Sequence, residues 1–271
     1  MSEHVQVTTV VEPSLFARSR KRTPAPELLC DHVFRPLAHA VVVVLLRLRV
    51  PPVAVLLAGT VTGLAAAGLL GHGHLLVAAL LLQVKTVLDN ADGQLARASG
   101  RVTVLGRYLD SESDLLVDAA LFAALGYVTG QPVLAGVAFV VLALVLSADF
   151  DLELLWRRER GEPREARPHA EGFAAVLARV YDVVYAPMDR LIEWFVERRL
   201  RGASPAQRLA YHDRMTLNVL ANYGLSTQLA VLGVCLAAGA PSAYLWFVVA
   251  CGASLVPLEL RRERRMKAAH G

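Results

Sequence analysis

Cysteine, aromatic side chains and charge are all scarce in this chain: its 271 residues include 3 cysteines, 7% aromatic and 19% charged residues, against 55% hydrophobic ones. Cys30, Cys235 and Cys251 have no metal-type spacing and imply no disulfide framework, so they read as small apolar side chains. No repeat of fixed period is present, which excludes a solenoid. Lysine and arginine are missing from three connections, "GHG" near 71, "GQP" near 130 and "AGAPS" near 240. The net charge of +4 arises instead from clusters beside apolar runs, "RSRKR" at 18–22 and "RRERR" at 261–265 among them. Such clusters suit anionic lipid headgroups and make nucleic acid an unsuitable partner.

What the chain has in excess is long apolar runs. A bilayer-spanning helix needs about 20 predominantly apolar residues. Six segments near that length can be marked, at 52–71, 74–97, 103–128, 131–148, 214–238 and 241–258, one of them made more polar by carboxylates. The fold class is therefore all-α, a polytopic membrane protein with six transmembrane helices and additional interfacial amphipathic helices. Cytoplasmic loops carry the excess of Lys and Arg, so the three connections without them face outward. Both termini are expected in the cytoplasm, and the protein in the cell (inner) membrane.

Residues 1–35 are polar, without an apolar core beside a small-residue cleavage site, and are expected to be a cytoplasmic tail. The six-span domain occupies 36–258, followed by a basic tail at 259–271. Residues 37–46, "LAHAVVVVLL", are too short to cross and suit a helix at the inner interface. The 149–213 connection is charged at first and then amphipathic, with helical spacing at Phe173, Val176, Leu177 and Val180 and again from Met188 to Val196, interrupted at Pro187. Too little apolar surface is available there to close a second soluble core. Small residues in "GTVTGLAAAG" of the first span permit close helix contact, a candidate dimer surface.

The unexpected residues are acids. Asp89 and Asp92 are three apart and share a helix face; Asp110 and Asp114 are four apart and share another. Their distances from the turn near Gly100 put the two pairs at similar depth, given a rise of about 1.5 Å per residue. Four carboxylates converging in a low-dielectric setting must take up protons or bind cations, and an all-oxygen cluster suits hard divalent ions such as magnesium or manganese. Gly93 and Gly106, with Ala96 one turn past Asp92, leave a notch where a flat group or another backbone can approach.

The run Asp89-x2-Asp92-Gly93-x2-Ala96-Arg97-x8-Gly106-x3-Asp110-x3-Asp114 resembles the signature of the CDP-alcohol phosphotransferase (CDP-alcohol phosphatidyltransferase) family, with no position missing. The resemblance implies a membrane enzyme, usually a homodimer, that moves a substituted phosphoryl group from a CDP-linked alcohol to a hydroxyl acceptor and releases CMP. It implies that Asp89, Asp92, Asp110 and Asp114 surround one or two divalent ions on the CDP pyrophosphate. Asp114 would also take the acceptor's proton, and Gly93, Ala96, Arg97 and Gly106 would receive the cytidine nucleotide. The donor by family majority is CDP-diacylglycerol. "LDSESDLLVDAALF" is similar to the phosphatidylinositol-phosphate synthase subgroup, although Leu115 stands where that subgroup carries Arg. Inositol phosphate, glycerol phosphate and free amino or sugar alcohols all remain as acceptors.

Further residues have both a structural and a functional reading. Lys85 lies four before Asp89 on the same face and needs an anionic partner, either Asp89 or a substrate phosphate. Asp118 continues the face of Asp110 and Asp114. Arg107 and Arg214 are candidate acceptor-phosphate contacts, and Asn218 and Asn222 extend a polar stripe from Arg214 that faces either an acceptor cavity or another helix. A divalent-cation transporter is the rival reading from another class, since intramembrane acids also line ion routes.

Overall fold

The computed structural model describes residues 15–19, 23–162 and 170–269. Part of the basic run 18–22 and residues 163–169 of the long connection lie outside them. The described residues form helices and no strands. A short helix α1 (Leu15–Ser19) precedes a π-helical turn at Cys30–Phe34, which runs into α2 (Arg35–Arg47). Four long helices follow: α3 (Pro52–Gly71), α4 (Leu75–Ala98), α5 (Val104–Thr129) and α6 (Pro132–Glu159). The connection contains α7 (Phe173–Val184), α8 (Ala186–Arg199) and α9 (Pro205–Tyr211), and α10 (Arg214–Ala221), α11 (Leu225–Ala237) and α12 (Pro241–Ala268) complete the chain.

The ends of these helices follow from local chemistry. Prolines open α3, α6, α8, α9 and α12, in the first turn, where a missing N–H loses no helical bond. Thr103, Ser204 and Asp213 cap α5, α9 and α10, their side-chain oxygens accepting from the N–H of Gly106, Gln207 and Thr216. Gly130 ends α5 at φ 65°, a left-handed conformation that glycine adopts without steric cost.

Six helices close a ring: α3 packs on α4 and α5, α5 on α6, α6 on α12, α12 on α11, and α11 on α4. Leu70, Leu82, Leu121, Leu125, Leu142, Tyr244 and Leu245 fill its centre. The outward faces are apolar as well, with Leu57, Val61, Leu76, Leu80, Val133, Val140, Val234 and Trp246 exposed. Helices apolar on every side belong in lipid. Four stretches are both long and apolar enough to cross a bilayer, Pro52–Gly71, Pro132–Glu159, Pro205–Ala237 and Pro241–Ala268. The other two expected spans, α4 and α5, have the length at 24 and 26 residues, but their acids and Lys85 lower their hydropathy.

Several expectations change in detail. The fifth expected span, 214–238, is two helices, because α10 stops at Ala221 and α11 starts at Leu225. Helices α4 and α5 do not pack along one another as a hairpin; each lies against α3, which wedges between them. The small residues that were a candidate dimer surface make that wedge possible. Gly59, Gly63, Ala66 and Ala67 are buried within the chain, and a Cβ at Gly63 would lie 2.7 Å from Val117 Cγ1.

The connection also builds more core than expected. Helices α6 and α12 continue past their expected ends, and Leu152 and Leu155 of α6 pack with Val196, Leu200, Tyr211, Leu217 and Leu220 in a second apolar cluster. Tyr211 hydroxyl donates to Glu259 Oε1 of α12 at 2.7 Å, and Arg262 Nε donates to Tyr211 carbonyl at 3.2 Å. The amphipathic helix α7 rests on α5 and leaves Phe173, Val176 and Val183 exposed. Helix α2 buries Ala38 and Val42 against Ala91 and Leu95 of α4.

Candidate active site

Helix α4 presents Lys85, Asp89, Asp92, Gly93, Ala96 and Arg97, and α5 presents Gly106, Arg107, Asp110, Asp114 and Asp118. The 3- and 4-residue spacings stack these side chains on facing surfaces. Asp89, Asp92 and Asp110 each place a carboxylate oxygen within 4.8 Å of the other two. Asp92 is 7% exposed, and its buried Oδ2 has no hydrogen-bond partner. A buried, unpaired carboxylate oxygen among like charges is costly unless a cation completes it. Three oxygens at this separation suit a hard divalent ion, so the residues present fit the metal that the sequence motif implies.

The fourth aspartate is placed differently. Asp114 lies outside that group; its Oδ1 accepts from Lys85 Nζ at 2.5 Å, and the same ammonium donates to Asp89 Oδ1 at 3.0 Å. The Lys85 side chain is 3% exposed, so the pairing with Asp89 expected from sequence is present, with Asp114 as a second partner. Asp118, one turn deeper, is buried at 8% exposure. Beyond it the ring interior is apolar, at Leu82, Leu121, Phe122 and Leu125.

A cavity of about 200 Å³ opens beside the carboxylates, lined on α4 by Asp89, Asp92, Gly93 and Arg97 and on α5 by Asp110. Four further lining residues went unread in the sequence: Glu27, Arg35, Asn90 and Gln94. Glu27 and Arg35 belong to the segment assigned to a polar tail. There Arg35 pairs with Glu27 at 2.7 Å and with Asp31. The spacing Glu27, Asp31, Arg35 was the available signal, since intervals of four align ion-pairing side chains on one helix face.

Cross-links tie this segment to the bundle. Gln94 Nε2 donates to Arg35 carbonyl at 3.0 Å, Cys30 Sγ donates to Asn90 Oδ1 at 3.1 Å, and Arg97 Nε donates to Ser19 carbonyl at 2.6 Å. Asn222, expected at an acceptor cavity or a helix contact, instead grips the segment: its Nδ2 donates to Pro26 carbonyl at 3.0 Å and its Oδ1 accepts from Leu28 N–H at 2.9 Å. Asn222→Ala removes both hydrogen bonds to the segment, worth roughly 1–3 kcal/mol together, along with the bond from Nδ2 to Asn218 carbonyl. The expected outcome is a new protease cleavage within 23–35, measured by limited digestion.

The other sequence candidates divide. The space beside Gly93 is taken by the Arg97 guanidinium, 3.3 Å from where a Cβ would stand, while at Gly106 that Cβ would lie 3.0 Å from the capping Thr103 hydroxyl. Ala96, Arg107, Arg214 and Asn218 do not line the cavity. Arg107 and Arg214 are exposed, and Asn218 keeps a buried Oδ1 without a partner.

Comparison with known proteins gives two partial relatives and one family. A stretch of 67 residues is 42% identical to the "Bifunctional IPC transferase and DIPP synthase" of Thermococcus kodakarensis, covering 24% of this chain and 16% of that one. A stretch of 46 residues is 48% identical to the protein of the same description from Aquifex aeolicus, covering 17% of this chain and 11% of the relative. The match thus spans less than a fifth of either relative's length. No solved structure matches. The sequence model of one family covers residues 36–183, nearly all of α2 to α7 and with them Asp89, Asp92, Asp110, Asp114 and Asp118, and on that match the chain belongs to the CDP-alcohol phosphatidyltransferase family, whose members are transferases of substituted phosphate groups.

Proposed function

We propose that this protein transfers a phosphatidyl group from CDP-diacylglycerol, or another CDP-alcohol, to a hydroxyl acceptor such as inositol phosphate or glycerol phosphate, releasing CMP. The observation that carries this reading is the unpaired Asp92 Oδ2 facing two other carboxylates at the wall of a cavity that also holds Arg35 and Arg97. Asp89, Asp92 and Asp110 would hold Mg²⁺ or Mn²⁺. Such an ion supplies neutralisation of the pyrophosphate and polarises the phosphoryl group under attack. Arg97 and Arg35 contribute fixed positive charge on the nucleotide side, where bidentate donors suit phosphate. Asp114 is the base that accepts the acceptor's hydroxyl proton as its oxygen attacks the β-phosphate, and CMP leaves from the opposite side.

In this reading α4 and α5 complete six spans, the site and both termini lie on the cytoplasmic side, and the acyl chains of the donor stay in the bilayer. Homodimer assembly follows from family membership alone. A cation transporter would need polar groups continuing across the membrane, and the apolar interior beyond Asp118 does not supply them.

The test is CMP release by purified protein in lipid nanodiscs supplied with CDP-diacylglycerol, with acceptors compared one at a time. Release is expected with Mg²⁺ or Mn²⁺, to stop on chelation, and to rise most with a phosphate-bearing polyol. Absence of CMP with every acceptor and both metals would overturn the assignment.

A further inference from the structure

One buried polar atom in the wall of the cavity has no part in the metal chemistry. Gln94 lines the cavity from α4 and is 2% exposed. In the acidic run it stands at one of the two unspecified positions between Gly93 and Ala96. The orientation of its amide is set by its neighbour: the Arg35 carbonyl can only accept, so the nitrogen Nε2 faces it, donating at 3.0 Å. Oε1 is thereby turned the other way, and it is buried without a partner. A buried amide oxygen left in this state is costly until a donor reaches it.

The neighbouring donors are already spent. Asn90 Nδ2 donates to Ser226 Oγ at 3.1 Å and to Thr86 carbonyl at 2.9 Å, and the two terminal nitrogens of Arg35 are held by Glu27 and Asp31. Arg97 Nε donates to Ser19 carbonyl. The missing N–H must then arrive with whatever fills the cavity. Between the two common pyrimidines the difference lies at this kind of contact: cytosine carries an exocyclic amine, a donor, where uracil carries a carbonyl oxygen, an acceptor that another oxygen repels.

Resting on the CDP-alcohol reading given under the proposed function, we infer that Gln94 Oε1 accepts a hydrogen bond from the exocyclic amine of cytosine and is the group by which this site selects cytidine over uridine diphosphates. The two ends of one amide then have separate tasks. Nε2 ties down the segment that carries Arg35, and Oε1 reads the base. The aspartates serve the pyrophosphate and are indifferent to the base.

The test is calorimetric titration of purified full-length protein in lipid nanodiscs, with Mg²⁺ present, using four probes: CDP, UDP, 2′-deoxy-CDP, and a CDP analogue whose pyrimidin-2-one base lacks only the amine. Wild type is expected to bind UDP and the amine-free analogue roughly 10–100-fold more weakly than CDP, the range for a buried group left unpaired, and to bind 2′-deoxy-CDP as it binds CDP. Gln94→Met, of similar shape but without the acceptor, should bind CDP only as tightly as the amine-free analogue, whereas Gln94→Glu, which keeps an acceptor oxygen, should retain the preference. A glutamine that only tied down the Arg35 segment would weaken every probe alike and leave the ratios unchanged. Equal binding of CDP and the amine-free analogue by wild type overturns the inference without any variant, and leaves the CDP-alcohol reading standing if CMP is still released. An undiminished preference in Gln94→Met also overturns it, as does a loss of affinity that follows the 2′-hydroxyl instead of the amine, which would place the sugar at Gln94. Binding of none of the four probes, with no CMP released from CDP-diacylglycerol, overturns the CDP-alcohol reading itself.

Discussion

Replacing Asp92 with asparagine is expected to lower CMP release by on the order of 10³-fold, the scale on which removing one preorganised electrostatic contact acts. The melting temperature in metal-free buffer should nevertheless be no lower than that of wild type. Both halves come from one atom. Asp92 Oδ2 is buried without a partner beside Asp89 and Asp110, so in the absence of a cation it contributes repulsion and unreplaced desolvation. An amide of the same shape removes the charge and with it the repulsion. It also removes the ligand that the ion needs, so Mn²⁺ binding should be lost together with turnover. Residues kept for function at a cost to stability behave in this way. Unaltered turnover in Asp92→Asn would remove the carboxylate cluster from the chemistry.

Asp114→Asn is expected to be nearly as damaging to turnover, by roughly 10²–10⁴-fold, the range for loss of a general base. Its other properties should differ from those of Asp92→Asn. Asp114 stands outside the group of three, and Lys85 still has Asp89 at 3.0 Å as a partner. Mn²⁺ binding and the KM for the CDP-alcohol should therefore be retained while kcat falls. That separation divides holding the donor from removing the acceptor's proton, and it is measurable with one protein preparation per variant. Loss of Mn²⁺ binding in Asp114→Asn would instead make this carboxylate a ligand. Normal turnover would move the base elsewhere, with Asp118 the next acid on the same helix face.

The sequence carried the helices and the acids because both are local. Apolar runs set the positions of α3, α6 and α12, and spacings of three and four put Asp89 with Asp92, and Asp110 with Asp114, on their faces. The pairing of Lys85 with Asp89 is also an interval of four; its contact with Asp114 crosses 29 residues and leaves no periodic trace. The position of α3 between α4 and α5 depends on how closely Gly63 lets backbones approach, which only packing reveals. The expected span 214–238 is apolar on both sides of Asn222, Tyr223 and Gly224, but the helix breaks at these three, with Asn222 turned to the peptide groups of Pro26 and Leu28, a contact across more than 190 residues that leaves no local trace. The second apolar cluster draws its members from α6, α8, α9 and α10, each contributing too few to stand out as a core.

The ring of helices has a consequence for how this family module is bounded. Residues 36–183 supply α3 to α6, but the circle closes through α11 and α12, whose Leu229, Leu232, Tyr244, Leu245 and Val248 are the remaining staves. Asn222, on the same late stretch, fastens the strap that carries Glu27 and Arg35 to the wall of the cavity. The last third of the chain is thus part of the vessel wall. The core side chains of α11 and α12 can drift as long as they stay apolar and fill the same volume, whereas Asn222 is held to its identity by the peptide groups it binds.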